Sequence, residues 1–131
     1  AEGFTLAFQN GWDKEAYTNG KIWQVATLRP GKYRLEVTYA YTMVVSDVGN
    51  FISALMAKGN SESDIPNVAD IEQLNGVCAI YDKAGTNDDS GILVTPSFEV
   101  TETTDVVIGF LTSLAKGNSY FKVTELKLIL E

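Results

Sequence analysis

Lys21-Ile-Trp-Gln-Val-Ala-Thr-Leu28, then Arg29-Pro-Gly31, then Tyr33-Arg-Leu-Glu-Val-Thr-Tyr39 is the stretch that decides the fold. In its second half Tyr33, Leu35, Val37, Tyr39 and Tyr41 fall on one side, while Arg34, Glu36 and Thr38 fall on the other. That period of two describes an antiparallel strand with one buried and one wet face. Between the two apolar runs, proline presets φ near −65° and glycine tolerates positive φ, so Pro30-Gly31 reads as a tight turn. A second β-signature lies near the other end of the chain, at Thr104 to Thr112 followed by Ser119 to Leu130.

Working outward, Phe4 to Phe8 alternates and predicts a first strand, and Lys21 to Leu28 is the second. Phe51 to Ala57 is apolar on both faces and is expected at the centre of a sheet. Lys58 to Asp70 is a long polar loop, with a short helix expected at Asp70 to Leu74. Val77 to Tyr81 predicts a fifth strand and Ile92 to Val100 a sixth. Pro96 lacks an amide hydrogen, which places it at a sheet edge or a bulge. Val106, Ile108 and Phe110 mark a seventh strand. In the last, Tyr120 to Leu130, the apolar phase switches between Val123 and Leu126, and a β-bulge near Thr124-Glu125 would bring both sets into one core. The fold class expected is all-β, an antiparallel jelly-roll-like β-sandwich of about eight strands in one domain spanning 1–131.

Composition narrows the function. The 131 residues carry a formal net charge of −7, and their Lys and Arg form no stripe. Nucleic acid and direct membrane insertion are therefore not expected partners. The chain has no histidine and a single cysteine, Cys78. Ser-His-Asp and Cys-His catalysis, histidine metal sites and a disulfide within the chain are thereby excluded. Cys78 sits in an apolar run and reads as a small buried hydrophobe. No run approaches the roughly 18 apolar residues of a membrane-spanning helix, and no signal peptide is recognisable. The chain opens close to its first strand and reads as a mature or excised piece of something longer. No motif marks an enzyme.

If successive strands alternate direction, the loops at 9–20, 43–49, 83–91 and 113–119 share one end. The turns at 29–31 and 101–103 and the loop at 58–76 take the other. Binding residues favour loops on a rigid scaffold. Trp12 follows Asn10-Gly11 in a polar loop, where its indole either stacks on a sugar or plugs the end of the barrel. The candidate ligand-binding residues are Trp12 and Tyr17 for stacking, with Asn87, Asp88, Asp89, Asn118 and Tyr120 for hydrogen bonds. No metal centre is assigned. Asp82, Asp88 and Asp89 are the weak calcium candidates, and their spacing fits no EF-hand. Trp23, within a strand beside Val25, is expected in the core, as are Tyr39 and Tyr41.

Asn10-Gly-Trp-Asp13 and Asn19 through Glu36, with Val107-Ile-Gly-Phe110 and Gly117 through Leu128, resemble a domain of unknown function found near the C-termini of exported lipoproteins of Bacteroidetes. That domain is similar to galactose-binding-like β-sandwiches, a superfamily rich in carbohydrate-binding modules. The resemblance covers most of the chain except 58–91, and scaffold motifs carry it. It implies a sandwich whose ligand sits in the end loops, and it carries over no functional residue. The function expected is a non-catalytic glycan-binding or glycan-associated module of an exported cell-envelope protein, in the periplasm or at the cell surface. Carbohydrate and flanking domains of a larger protein are the expected partners. The alternative is a structural or protein-docking sandwich with no small-molecule ligand.

Overall fold

The computed structural model describes residues 6–10, 17–42, 51–73, 77–83, 88–114 and 119–131. Among them run nine strands: β1 Leu6–Asn10, β2 Tyr17–Leu28, β3 Gly31–Thr42, β4 Phe51–Lys58, β5 Val77–Ile80, β6 Asp89–Val94, β7 Phe98–Val100, β8 Thr104–Leu114 and β9 Ser119–Leu130. They form two antiparallel sheets. Sheet I has the order β1-β9-β3-β6, with β7 also on β3, and sheet II the order β2-β8-β4-β5. β6 and β7 occupy one edge position, since Glu36 pairs with Val94 and Tyr33 with Phe98 along the same side of β3. Counted as one strand, they leave eight positions in the order of a jelly roll. The residues flanking Pro30-Gly31 therefore do not form a hairpin: β2 lies in sheet II and β3 in sheet I.

The expected sixth strand is split at Thr95-Pro96-Ser97, on the edge of sheet I as proline requires. Thr95 repairs the gap. Its amide donates to the Leu35 carbonyl at 3.0 Å, and its Oγ1 accepts from the Leu35 amide at 2.9 Å. On the other side of β3 the register slips between Thr38↔Glu125 and Tyr39↔Val123, leaving Thr124 as the extra residue of the expected bulge.

The core lies between the sheets in two halves. One gathers Leu28, Tyr33, Leu35, Met56, Phe98, Val100, Val106 and Ile108 near the Pro30 turn. The other gathers Val37, Tyr39, Ile52, Phe110, Leu114, Phe121 and Val123 toward the opposite end. Leu126 packs against both halves. Leu128 and Leu130 belong to the same face; among the described residues β1 pairs with β9 as far as Val123, and Leu130 is 62% exposed.

A third apolar cluster sits on the outer face of sheet II. There Leu55, Ala57, Val107 and Leu111 pack with Ile65, Val68 and Ile71. The last three belong to the stretch after β4, which forms two 3-10 helices, Glu62–Asp64 and Val68–Gln73, the second covering 70–73 of the short helix expected at 70–74. Cys78, half-buried, packs against this cluster. Gly59 starts the crossing with φ +137°, and its amide donates to the Asp105 carbonyl. Lys21 Nζ fastens the covering segment by donating to the Ile65 carbonyl at 2.8 Å.

Candidate functional site

Register places the strand ends that flank the segments 11–16, 43–50, 84–87 and 115–118 at one end of the sandwich. Asn10 pairs with Ser119, Tyr17 with Leu114, Phe51 with Ser113 and Thr42 with Asp89. This is the end that the alternation of strand directions predicts for the ligand loops.

Under that end lies an aromatic floor. Tyr39, Tyr81 and Phe121 pack with ring centroids 5.1 to 5.3 Å apart, the spacing of favourable edge-to-face and tilted pairs. Gly91 stands opposite Tyr39, and a Cβ there would come within 2.8 Å of the Tyr39 hydroxyl. The missing side chain is what lets the phenol reach the end of the barrel.

Polar groups tie the floor to the rim. Tyr81 donates its hydroxyl proton to Asp89 Oδ2 at 2.8 Å. Lys83 Nζ donates to the Tyr39 hydroxyl at 3.3 Å and lies 3.8 Å from Asp89 Oδ2. Burial pushes the Tyr81 phenol far above its ordinary range, and the Asp89 acceptor adds to the shift. The bond to Tyr39 holds the Lys83 ammonium above its usual value. At neutral pH Tyr81 is thus a neutral phenol donor and Lys83 a cation.

Above the floor the backbone does something unusual. Among the described residues, two other than glycine have positive φ: Tyr41 at 53° and Asp88 at 51°. Their neighbours Thr42 and Asp89 pair across the antiparallel β3 and β6, so the two sites lie diagonally, one on either side of that pair. For a bulky residue such as tyrosine the left-handed region is strained. The register of β3 on β6 shifts between Tyr39 and Thr42, and the alternation reverses with it. Thr42, fully buried, takes the inward place, and its Oγ1 accepts from the Lys122 amide at 3.3 Å. Tyr41 turns outward and is 65% exposed, with the Lys122 ammonium 5.6 Å from its ring centroid, inside cation–π range.

Tyr41 is therefore not a core residue. Continued alternation along β3 predicts the opposite, and no local signal in the sequence marks the reversal. Trp23 is not core either. It stands on edge strand β2, 38% exposed.

Of the predicted site residues, Asp88 and Asp89 come to this rim, the first exposed and the second engaged by Tyr81. Tyr120 is half-buried opposite Gln9, and the backbone of Tyr17 opens β2. Trp12, Asn87 and Asn118 lie outside the described residues. Asp82 and Asp88 are both exposed. Among the described residues, no group of three or more carboxylate or thiol side chains gathers to hold a metal ion. Sequence reasoning missed Tyr41, Lys122, Tyr81 and Lys83. Tyr81 alone had a visible hint, an aromatic ending an apolar run just before an acidic loop.

No curated protein and no solved structure matches this chain. A family model does, over residues 1–109, from the first residues through most of β8. The chain belongs to the family described as Domain of unknown function (DUF5013).

Proposed function

We propose that this domain is a non-catalytic glycan-binding module of an exported cell-envelope protein. One observation supports it above the others: the two left-handed residues that flank the Thr42–Asp89 pair at the loop end, Tyr41 and Asp88, both exposed. Backbone strain of this kind costs on the order of 1–3 kcal/mol per residue and clusters at ligand clamps. The CH face of a sugar stacks on Tyr41, and Asp88 and Lys122 bond its hydroxyls. Trp12, Asn87 and Asn118 are proposed as further ligand contacts on their sequence positions alone. Asp89 and Lys83 serve as its fixed polar floor.

The test is a glycan array probed with the 131-residue chain, in calcium and then in chelator, followed by titration of any hit. Tyr41→Ala is expected to weaken binding by at least about tenfold, which is about 1.4 kcal/mol. Its thermal midpoint should hardly move, because the Tyr41 side chain is 65% exposed and alanine meets the same backbone cost at positive φ. A blank array, or a hit that Tyr41→Ala and Asp88→Ala both leave unchanged, overturns the reading. Loss of binding in chelator alone would make a calcium ion part of the binding.

A further inference from the structure

The four edge positions of the two sheets differ in how well they are blunted. β1 has five residues and β5 four, and the β6/β7 edge is broken at Pro96. β2 is twelve residues long, contains no proline, and among the described residues pairs on one side only, with β8. Its middle is open: Ile22, Trp23 and Val25 are all exposed. A long apolar edge of this kind is a template for another strand.

The order of side chains along β2 says which strand. Lys21, Trp23, Val25 and Thr27 share the outer face of sheet II, since they pair with Leu111, Gly109, Val107 and Asp105. Thr27 Oγ1 donates to Asp105 Oδ1 at 2.7 Å, so this end of the row carries a carboxylate. The row therefore reads cation, aromatic, β-branched, anion. Turned through a two-fold axis it complements itself. With Gln24 opposite Gln24, Trp23 faces Val25 and Ile22 faces Ala26. Lys21 faces Thr27, with Asp105 one strand spacing behind, about 4.8 Å. An ammonium has three donors, so Lys21 can keep Ile65 and still reach Asp105. The neighbouring registers fail. A slip of two residues one way sets Lys21 against Val25, and the other way sets Lys21 against Arg29.

We propose that β2 is the contact of a homodimer, in which two copies of this chain pair antiparallel about Gln24 and join two four-stranded sheets into one of eight. Aromatic and β-branched partners directly opposite, flanked by opposite charges, are the pairs that stabilise a ladder. The contact is isologous and closes on itself, so it ends at two chains.

Sedimentation equilibrium of the whole chain should give a mass of twice 14.3 kDa at protein concentrations up to about 1 mM. Trp23→Glu should return it to the monomer without altering the fold. The register is read separately. In a Cys78→Ala background, mild oxidation should crosslink Gln24→Cys, whose Cβ atoms face each other across the axis, and leave Thr27→Cys uncrosslinked. A chain that stays monomeric throughout, a dimer that survives Trp23→Glu, or crosslinking of Thr27→Cys in preference to Gln24→Cys would each overturn the proposal.

Discussion

Sheet I buries one face, while the central strands β4 and β8 of sheet II bury both, although each sheet is four positions wide and antiparallel. On β3 the residues alternate strictly between buried and half-exposed from Tyr33 to Ala40. The outer side carries Arg34 bonded to Glu36 at 2.8 Å, and Thr38 beside the Lys127–Glu125 pair. On β4 every residue from Ile52 to Ala57 is buried, and on β8 every residue from Val106 to Leu114. Such continuous apolar strands are usual where helices cover a parallel sheet. Here a segment with two 3-10 helices supplies the cover, and among the described residues Ile65, Val68 and Ile71 of it do the apolar packing. Local sequence pattern thus reports how many faces are covered and leaves open what covers them.

The largest effect separates the two outer faces directly. Leu111→Ala, on the covered face and fully buried, should cost about 2–5 kcal/mol in denaturant unfolding. Val94→Ala, on the open face and 49% exposed, should stay within about 0.5 kcal/mol. Equal losses would mean that the cover contributes no burial of its own.

A smaller effect tests how sheet I survives its broken edge. Thr95→Val keeps the shape but leaves the buried Leu35 amide without its acceptor, and should cost about 1–3 kcal/mol. Thr38→Val, on the same strand but facing water, should be nearly neutral. A neutral Thr95→Val would show that the split edge does not depend on the hydroxyl.

The smallest effect concerns the cover of sheet II. Asp64 Oδ2 accepts from the amides of Ser61 and Asn60, and these backbone bonds hold its carboxyl below the usual carboxylate range. A depressed pKa gives stability that is present above the unfolded value and lost as pH falls through the folded one. Amide exchange at 59–73 should therefore quicken below about pH 4, while that of β3 holds. Asp64→Asn should remove the pH dependence from the segment.

How much of this was written locally is clearest at particular residues. The Tyr33 to Tyr39 alternation, the apolar run of β4, the edge position of Pro96 and the bulge at Thr124 are all properties of a few neighbouring side chains, and each is legible. The candidate site is less so. Asp88 and Asp89 stand out as an acidic turn, but the outward ring of Tyr41 depends on a backbone reversal that no composition marks. Trp23 misleads for a related reason. An aromatic in a strand suits the interior, and only the strand order, which is a property of the whole chain, puts β2 at an edge.

One consequence of the strand order concerns time. β9 lies between β1 and β3, so the last strand made is the one that joins the first to its sheet. As the chain leaves the ribosome, residues 6–10 and one side of β3 must wait, unpaired, for residues 119–130 to emerge. Pairings this distant in sequence form slowly. Nascent chains shorter than the full β9 should accordingly be protease-sensitive and chaperone-bound, and protection should arrive in a single late step.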